Sequence, residues 1–228
     1  MASGFFITGT DTEVGKTTIA AALLHAARQA GLSTAAVKPV ASGCEATPEG
    51  LRNADALALQ EQCSLKLDYA QINPYAFAPA IAPHLAAQQI GVELEVDTLA
   101  AAVQRILQMQ ADFTVVEGAG GWRVPLSGAA TLSDVAITLG LPVILVVGIR
   151  LGCINHALLS AQAIVADGLH LAGWVANLVD EQTTCLDEML QTLNERLSAP
   201  CIGYVPSLEL VTPARVAGYL ELSLLLPR

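Results

Sequence analysis

Positive charge is scarce in this chain. Eleven Lys and Arg residues stand against 21 Asp and Glu, leaving a formal charge of −10. A surface of that sign repels polyanions, so neither nucleic acid nor an anionic membrane is an expected partner. Charged residues of all kinds make up only 14%, whereas 53% are hydrophobic. That balance argues against disorder and supplies a core for a sheet buried on both faces. Cys44, Cys63, Cys153, Cys185 and Cys201 contain no C-x-x-C pair, so neither a zinc site nor a disulfide framework is indicated. Scattered free thiols fit a reducing compartment, and a cytoplasmic location is expected. The opening MASGFFITG lacks a basic stretch and carries only a brief apolar run, so no signal peptide is expected. The greasiest stretch, residues 135–149, is cut by Gly140 and Pro142 and is too short to span a bilayer.

What the chain does have is alternation. Short apolar runs at 5–8, 34–38, 114–116, 143–147, 174–176 and 201–205 read as strands. Between several of them, apolar residues recur at helical spacing, as in Val96, Leu99, Ala100, Val103, Ile106 and Leu107. Residues 16–30 read as a helix with Gly31 just past its end. The continuous run at 143–147 suits a central parallel strand. The pattern predicts one α/β domain over residues 1–228, a mainly parallel sheet flanked by helices on both faces. No repeat or linker divides it, and the Pro-containing stretch 41–91 is its irregular part. In such a sheet, ligands bind beyond the carboxyl ends of the strands.

After the first strand comes Gly9-Thr10-Asp11-Thr12-Glu13-Val14-Gly15-Lys16-Thr17-Thr18. A Gly-rich turn between strand and helix aims backbone N–H groups at an anion. Lys16 can reach the outer phosphates of a nucleotide, and the Thr17 hydroxyl can ligate Mg²⁺. Thr10 stands where the first Gly of the usual phosphate loop belongs, and Gly9 lies one residue earlier. Lys38 follows a strand: either it snorkels to solvent, or its ammonium projects beside Lys16 over the phosphates. Asp55 reads equally as a helix cap or a ligand. Glu117 ends an apolar run and precedes Gly118-Ala119-Gly120-Gly121, which favours a ligand at the sheet edge over a surface residue.

The loop strongly resembles that of the dethiobiotin synthetases. Further segments fit the same family in order: 38–43 (KPVASG), 50–57 (GLRNADAL), 117–122 (EGAGGW), 151–156 (LGCINH) and 172–177 (AGWVAN). The resemblance implies a P-loop fold and an ATP-dependent ligase of biotin biosynthesis. In that reaction 7,8-diaminononanoate, CO₂ and ATP give dethiobiotin, ADP and phosphate. A substrate carbamate attacks the γ-phosphate, and the second amine then closes the ureido ring. The resemblance makes Lys38 and Lys16 catalytic, with Thr12 beside the carbamate. It makes Thr17, Asp55 and Glu117 the Mg²⁺ set. Nucleotide contacts are implied for Glu13, Val14, Gly15, Thr18, Gly118, Ala119, Gly120, Asn177, Val205, Pro206 and Ser207. Substrate contacts are implied for Ser42 and, from the partner of a homodimer, for Gly152, Cys153, Ile154 and Asn155. Leu178 and the segment 77–80 depart from the family's usual residues. Two other readings stand beside this one. An amide-forming ligase of a cofactor precursor would need a glutaminase domain, for which no room is expected. A partitioning ATPase would place a second lysine where Asp11 stands.

Overall fold

The computed structural model describes residues 3–226. Met1, Ala2, Pro227 and Arg228, the outermost residues of the single-domain reading and, at the front, of the segment read as no signal peptide, lie outside the described residues. Six parallel strands form the central sheet: β1 (Ser3–Gly9), β2 (Thr34–Val37), β3 (Phe113–Glu117), β4 (Val143–Ile149), β5 (Leu171–Leu178) and β6 (Cys201–Val205). Their order across the sheet is β6-β5-β4-β1-β3-β2. The chain leaves β1 for the edge at β2, returns to β3 beside β1, and then crosses to β4 on the other side. That reversal opens a crevice beyond the carboxyl end of β1.

The pleat sorts the apolar residues onto two faces. Phe6, Val143, Leu145 and Val147 point into one core and Phe5, Ile7, Ile144 and Val146 into the other. Every residue of β4 is buried, as the uninterrupted apolar run requires. The first core is covered by α3 (Val96–Leu107), α4 (Ser133–Leu139), α5 (Cys153–Ala166) and α6 (Leu186–Arg196). The second is covered by α1 (Lys16–Gln29) and α7 (Pro213–Ala217). Among the described residues no helix is long and apolar enough to cross a membrane.

The irregular stretch holds more order than its prolines suggest. It contains α2 (Ala54–Glu61), the short helices Tyr69–Ile72 and Pro83–Gln89, and the hairpin pairing Glu45–Thr47 with Gly50–Arg52. Pro83 opens its helix, where the missing N–H costs nothing. A two-residue strand at Val40–Ala41 pairs with Tyr75–Ala76 and folds this layer over the end of the sheet.

Candidate active site

The phosphate loop runs from the end of β1 into α1. Gly15 caps that helix at φ 89°, without a side chain in the capping role. The first N–H groups of α1 are thus left to an anion. A side chain at this position would place its Cβ 2.3 Å from Asn177 Nδ2, so glycine is required by space as well as by φ. Beneath the loop, Val14 is buried and its carbonyl accepts from Asn177 Nδ2 at 2.9 Å.

A cleft of about 350 Å³ opens over the loop. Its lining includes Thr12, Glu13, Gly15, Lys16, Thr17 and Thr18 from the phosphate loop. Lys38, Ala41 and Ser42 enter from beyond β2, Asp55 from α2, and Glu117, Ala119 and Gly120 from the end of β3. Residues a hundred positions apart meet because β1, β2 and β3 end side by side.

Three of the cleft's charged groups, Lys38, Glu117 and Asp55, are paired through Lys38. Lys38 is 4% exposed and Glu117 is 1% exposed. A buried ion survives only with a partner: Lys38 Nζ lies 2.6 Å from Glu117 Oε1 and 3.1 Å from Asp55 Oδ2. Lys38 therefore does not snorkel to solvent. It lines the same cleft as Lys16, with its charge held between the two carboxylates. Asn53, not Asp55, caps α2, accepting from Ala56 N at 3.2 Å. That leaves the Asp55 carboxylate for Lys38. The Thr17 hydroxyl donates to Glu117 Oε1 at 2.8 Å, while Glu117 Oε2 is buried with no hydrogen-bond partner among the described residues.

Lys16 Nζ donates to the Asp11 carbonyl at 2.9 Å. Burial brings its pKa down to about 8. The Glu117 charge works against that drop and the Lys38 ammonium adds to it. Burial also works to lower Lys38, but the Glu117 and Asp55 carboxylates, by charge and by hydrogen bonding, outweigh it and hold Lys38 above its ordinary value. Two lysines with opposite shifts thus share one cleft.

Not every residue named from the sequence lines this cleft. Gly118 packs beneath it, against Phe6. Asn177 sits behind the phosphate loop, and Val205 ends β6 with Ser207 bonded to Glu181. Gly152, Cys153, Ile154 and Asn155 start α5 away from the cleft. The preceding Leu151 is 95% exposed. A second, more apolar hollow adjoins the first, sharing Thr12, Glu13 and Ser42 and continuing along Ile81, Pro83 and Val124. Sequence reasoning missed this wall, Ala41, and the tie of Asn53 Nδ2 to the Ser42 carbonyl at 3.3 Å. The family resemblance sets residues 77–80 on the substrate side, and Ala80 lines this hollow.

A protein-family profile described as an AAA domain matches residues 3–215. An ATP-dependent dethiobiotin synthetase BioD of Pseudomonas aeruginosa (strain UCBPP-PA14) is 70% identical over 218 residues, covering 96% of each chain. This chain belongs to the ATP-dependent dethiobiotin synthetase family. A further dethiobiotin synthetase, from Cellvibrio japonicus, is 55% identical over 97% of each chain. Among solved structures, a chain of the MinC:MinD cell division protein complex of Aquifex aeolicus superposes with a TM-score of 0.60 at 14% identity, covering 98% of this chain and 94% of that one. A ParA family ATPase from Chlorobium tepidum gives 0.56 at 13% identity, covering 99% and 97%. Likeness at that identity extends to the P-loop NTPase fold alone. Dethiobiotin synthetase, not partitioning ATPase, is the family these residues serve.

Proposed function

We propose that this dethiobiotin synthetase binds ATP on the 9–18 loop and phosphorylates a carbamate of 7,8-diaminononanoate in the cleft above it. The convergence of Lys16, Lys38, Thr17, Asp55 and Glu117 in one cleft carries the reading. Closing a urea from a carbamate needs an oxygen turned into a leaving group, and phosphorylation does that. Lys16 and Lys38 face the charge that builds on the transferring phosphoryl group. Thr12 and Ser42 stand where the 350 Å³ cleft and the apolar hollow join, suited to hold the reacting amines while the hollow takes the carbon chain. Residues 1–228 act as one domain.

Thr17, Asp55 and Glu117 would hold a divalent ion, and the donor set fits Mg²⁺. All three offer oxygen, and the unpartnered buried Glu117 Oε2 lacks only a cation or donor. Two carboxylates and a hydroxyl need the nucleotide's own oxygens to complete the shell. When bound, the ion would neutralise phosphate charge. Asn177, bonded to the phosphate loop through Val14, and the 205–207 segment, whose Val205 pairs with Asn177, would contact the base. Asn177 Nδ2 is engaged by Val14, leaving its Oδ1 for that task.

The 152–155 turn would bind the substrate carboxylate in the site of a second subunit of a homodimer. Its outward position, absent from its own cleft, supports this. Leu151, just ahead of this helix, and Leu159 and Val165 along it are exposed and apolar, and would be covered by such a partner. The free cysteines fit a cytoplasmic setting.

The reading is tested by ATP turnover with each substrate omitted in turn. Phosphate release should require diaminononanoate, bicarbonate and Mg²⁺ together; steady release at an unchanged rate without the diamine contradicts it. Glu117→Gln should shift the Mg²⁺ dependence of the rate to higher concentration, and an unchanged titration removes Glu117 from the metal set.

A further inference from the structure

Asp11 has no part in the chemistry above, yet three contacts meet on it. Its backbone carbonyl accepts from Lys16 Nζ at 2.9 Å. Its Oδ1 accepts from the Thr12 backbone N–H at 2.8 Å. Its Oδ2 accepts from the Arg150 guanidinium at 2.6 Å. Arg150 is one of only eleven Lys and Arg residues, and it stands just beyond β4. Its own carbonyl accepts from Cys153 N at 3.0 Å, so it also closes the turn that starts α5. Two more bonds tie the same strand to the loop, from Thr10 N to the Val146 carbonyl at 2.9 Å and from Gly148 N to Thr10 Oγ1 at 3.3 Å.

The side chains of this ion pair are 42% and 48% exposed. An exposed pair contributes little to global stability, so its consequence must lie in what it orients. Without Arg150, the Asp11 carboxylate is free to leave Thr12 N–H, and the peptide carrying the Lys16 acceptor can rotate. A small displacement of a phosphate-binding lysine is costly in rate.

We infer that Arg150 is a positioning residue for ATP: through Asp11 it holds the first half of the phosphate loop, and with it Lys16 and Thr12, in binding geometry. The inference rests on the 9–18 loop being the ATP site. Arg150 acts on the loop and touches no reacting atom.

The test is a double-mutant cycle of Asp11→Asn and Arg150→Gln, with Arg150→Lys and Lys16→Gln as companions. Steady-state KM is measured for ATP and for diaminononanoate, with kcat and the thermal midpoint. Each single variant should raise KM for ATP about tenfold, as expected for loss of a charge-assisted hydrogen bond. KM for the diamine should rise by less than KM for ATP, since Thr12 shifts with the loop while Ser42 does not, and the thermal midpoint should stay near that of the unmodified enzyme. The double variant should be no worse than the worse single, because both changes break one link. Arg150→Lys should recover most of the loss, since only one guanidinium nitrogen makes the contact and an ammonium can replace it. Additive losses, an unchanged KM for ATP, or a uniform decline of all parameters with a lowered midpoint would each overturn the inference. If Lys16→Gln abolishes ATP binding while Arg150→Gln does nothing, only the positioning role falls. If Lys16→Gln also binds ATP normally, the phosphate-loop reading falls with it.

Discussion

Removing the Lys38 ammonium should destabilise the protein before any substrate is present. In Lys38→Met the side chain keeps its length and loses its charge, leaving the Glu117 carboxyl without this partner in a site where it is 1% exposed. At 2.6 Å, two unit charges in an effective dielectric near 20 attract by about 6 kcal/mol before desolvation is counted. Much of that is offset by burying both ions, but deleting one partner of a buried pair still costs about 3–5 kcal/mol. Thr17 continues to donate to Glu117, which places the expectation near the lower end, about 3 kcal/mol. For a chain of this size that lowers the thermal midpoint by roughly 6–12 °C. The companion Lys38→Met/Glu117→Gln removes both charges and should be more stable than Lys38→Met alone. Urea unfolding of four proteins, the unmodified enzyme, Lys38→Met, Glu117→Gln and the double variant, without nucleotide or metal, measures the cycle. A loss under about 1 kcal/mol in Lys38→Met, or a double variant less stable than both singles, would refute the buried-pair argument. Lys38→Gln should in addition lower turnover about a hundredfold or more.

Gly15→Ala should unfold the loop locally or displace Asn177, since its Cβ would lie 2.3 Å from Asn177 Nδ2; loss of ATP affinity in a titration with the protein otherwise folded checks it, and full affinity would contradict it. Asp167 receives hydrogen bonds from Trp122 Nε1 and Arg123, each at 2.7 Å. Burial pushes its carboxyl up, but those bonds and the Arg123 charge outweigh it and hold the group below its ordinary value of 3.8. The folded state thus binds the proton less readily than the unfolded state, so this stability is present above the ordinary value and is lost as pH falls through the lowered folded one. Asp167→Asn should therefore cost about 1–3 kcal/mol at neutral pH and flatten the acid limb of the stability curve; an identical acid limb would remove Asp167 from it. For the shared site, Lys16→Gln and Gly152→Trp refolded together should regain about a quarter of normal activity, because half the dimers are mixed and each has one intact site. Recovery no greater than separately refolded controls, with mixed dimers shown by mass spectrometry, means each subunit owns its whole site.

Much of this protein is written locally. The run at 143–147 becomes a strand buried along its whole length because nothing in it tolerates water. The segment 9–18 becomes a phosphate loop because Gly15 permits the left-handed turn that opens α1. Lys16, Thr17 and Glu117 could be named as site residues because each stands at the end of a strand or the start of a helix, where parallel sheets place ligands. What local pattern could not carry is which side chain each one meets. Lys38 and Glu117 are 79 positions apart, and only the adjacency of β2 and β3 puts their charges 2.6 Å from each other. Whether Asp55 capped a helix or faced the site turned on Asn53 taking the cap. The pairing of Asp11 with Arg150 spans 139 positions and depends on β4 lying against β1. Sequence determined the elements and their ends, through periodicity and the conformational demands of single residues. Tertiary structure decided the pairings, because a buried charge takes the partner that the strand order brings within reach.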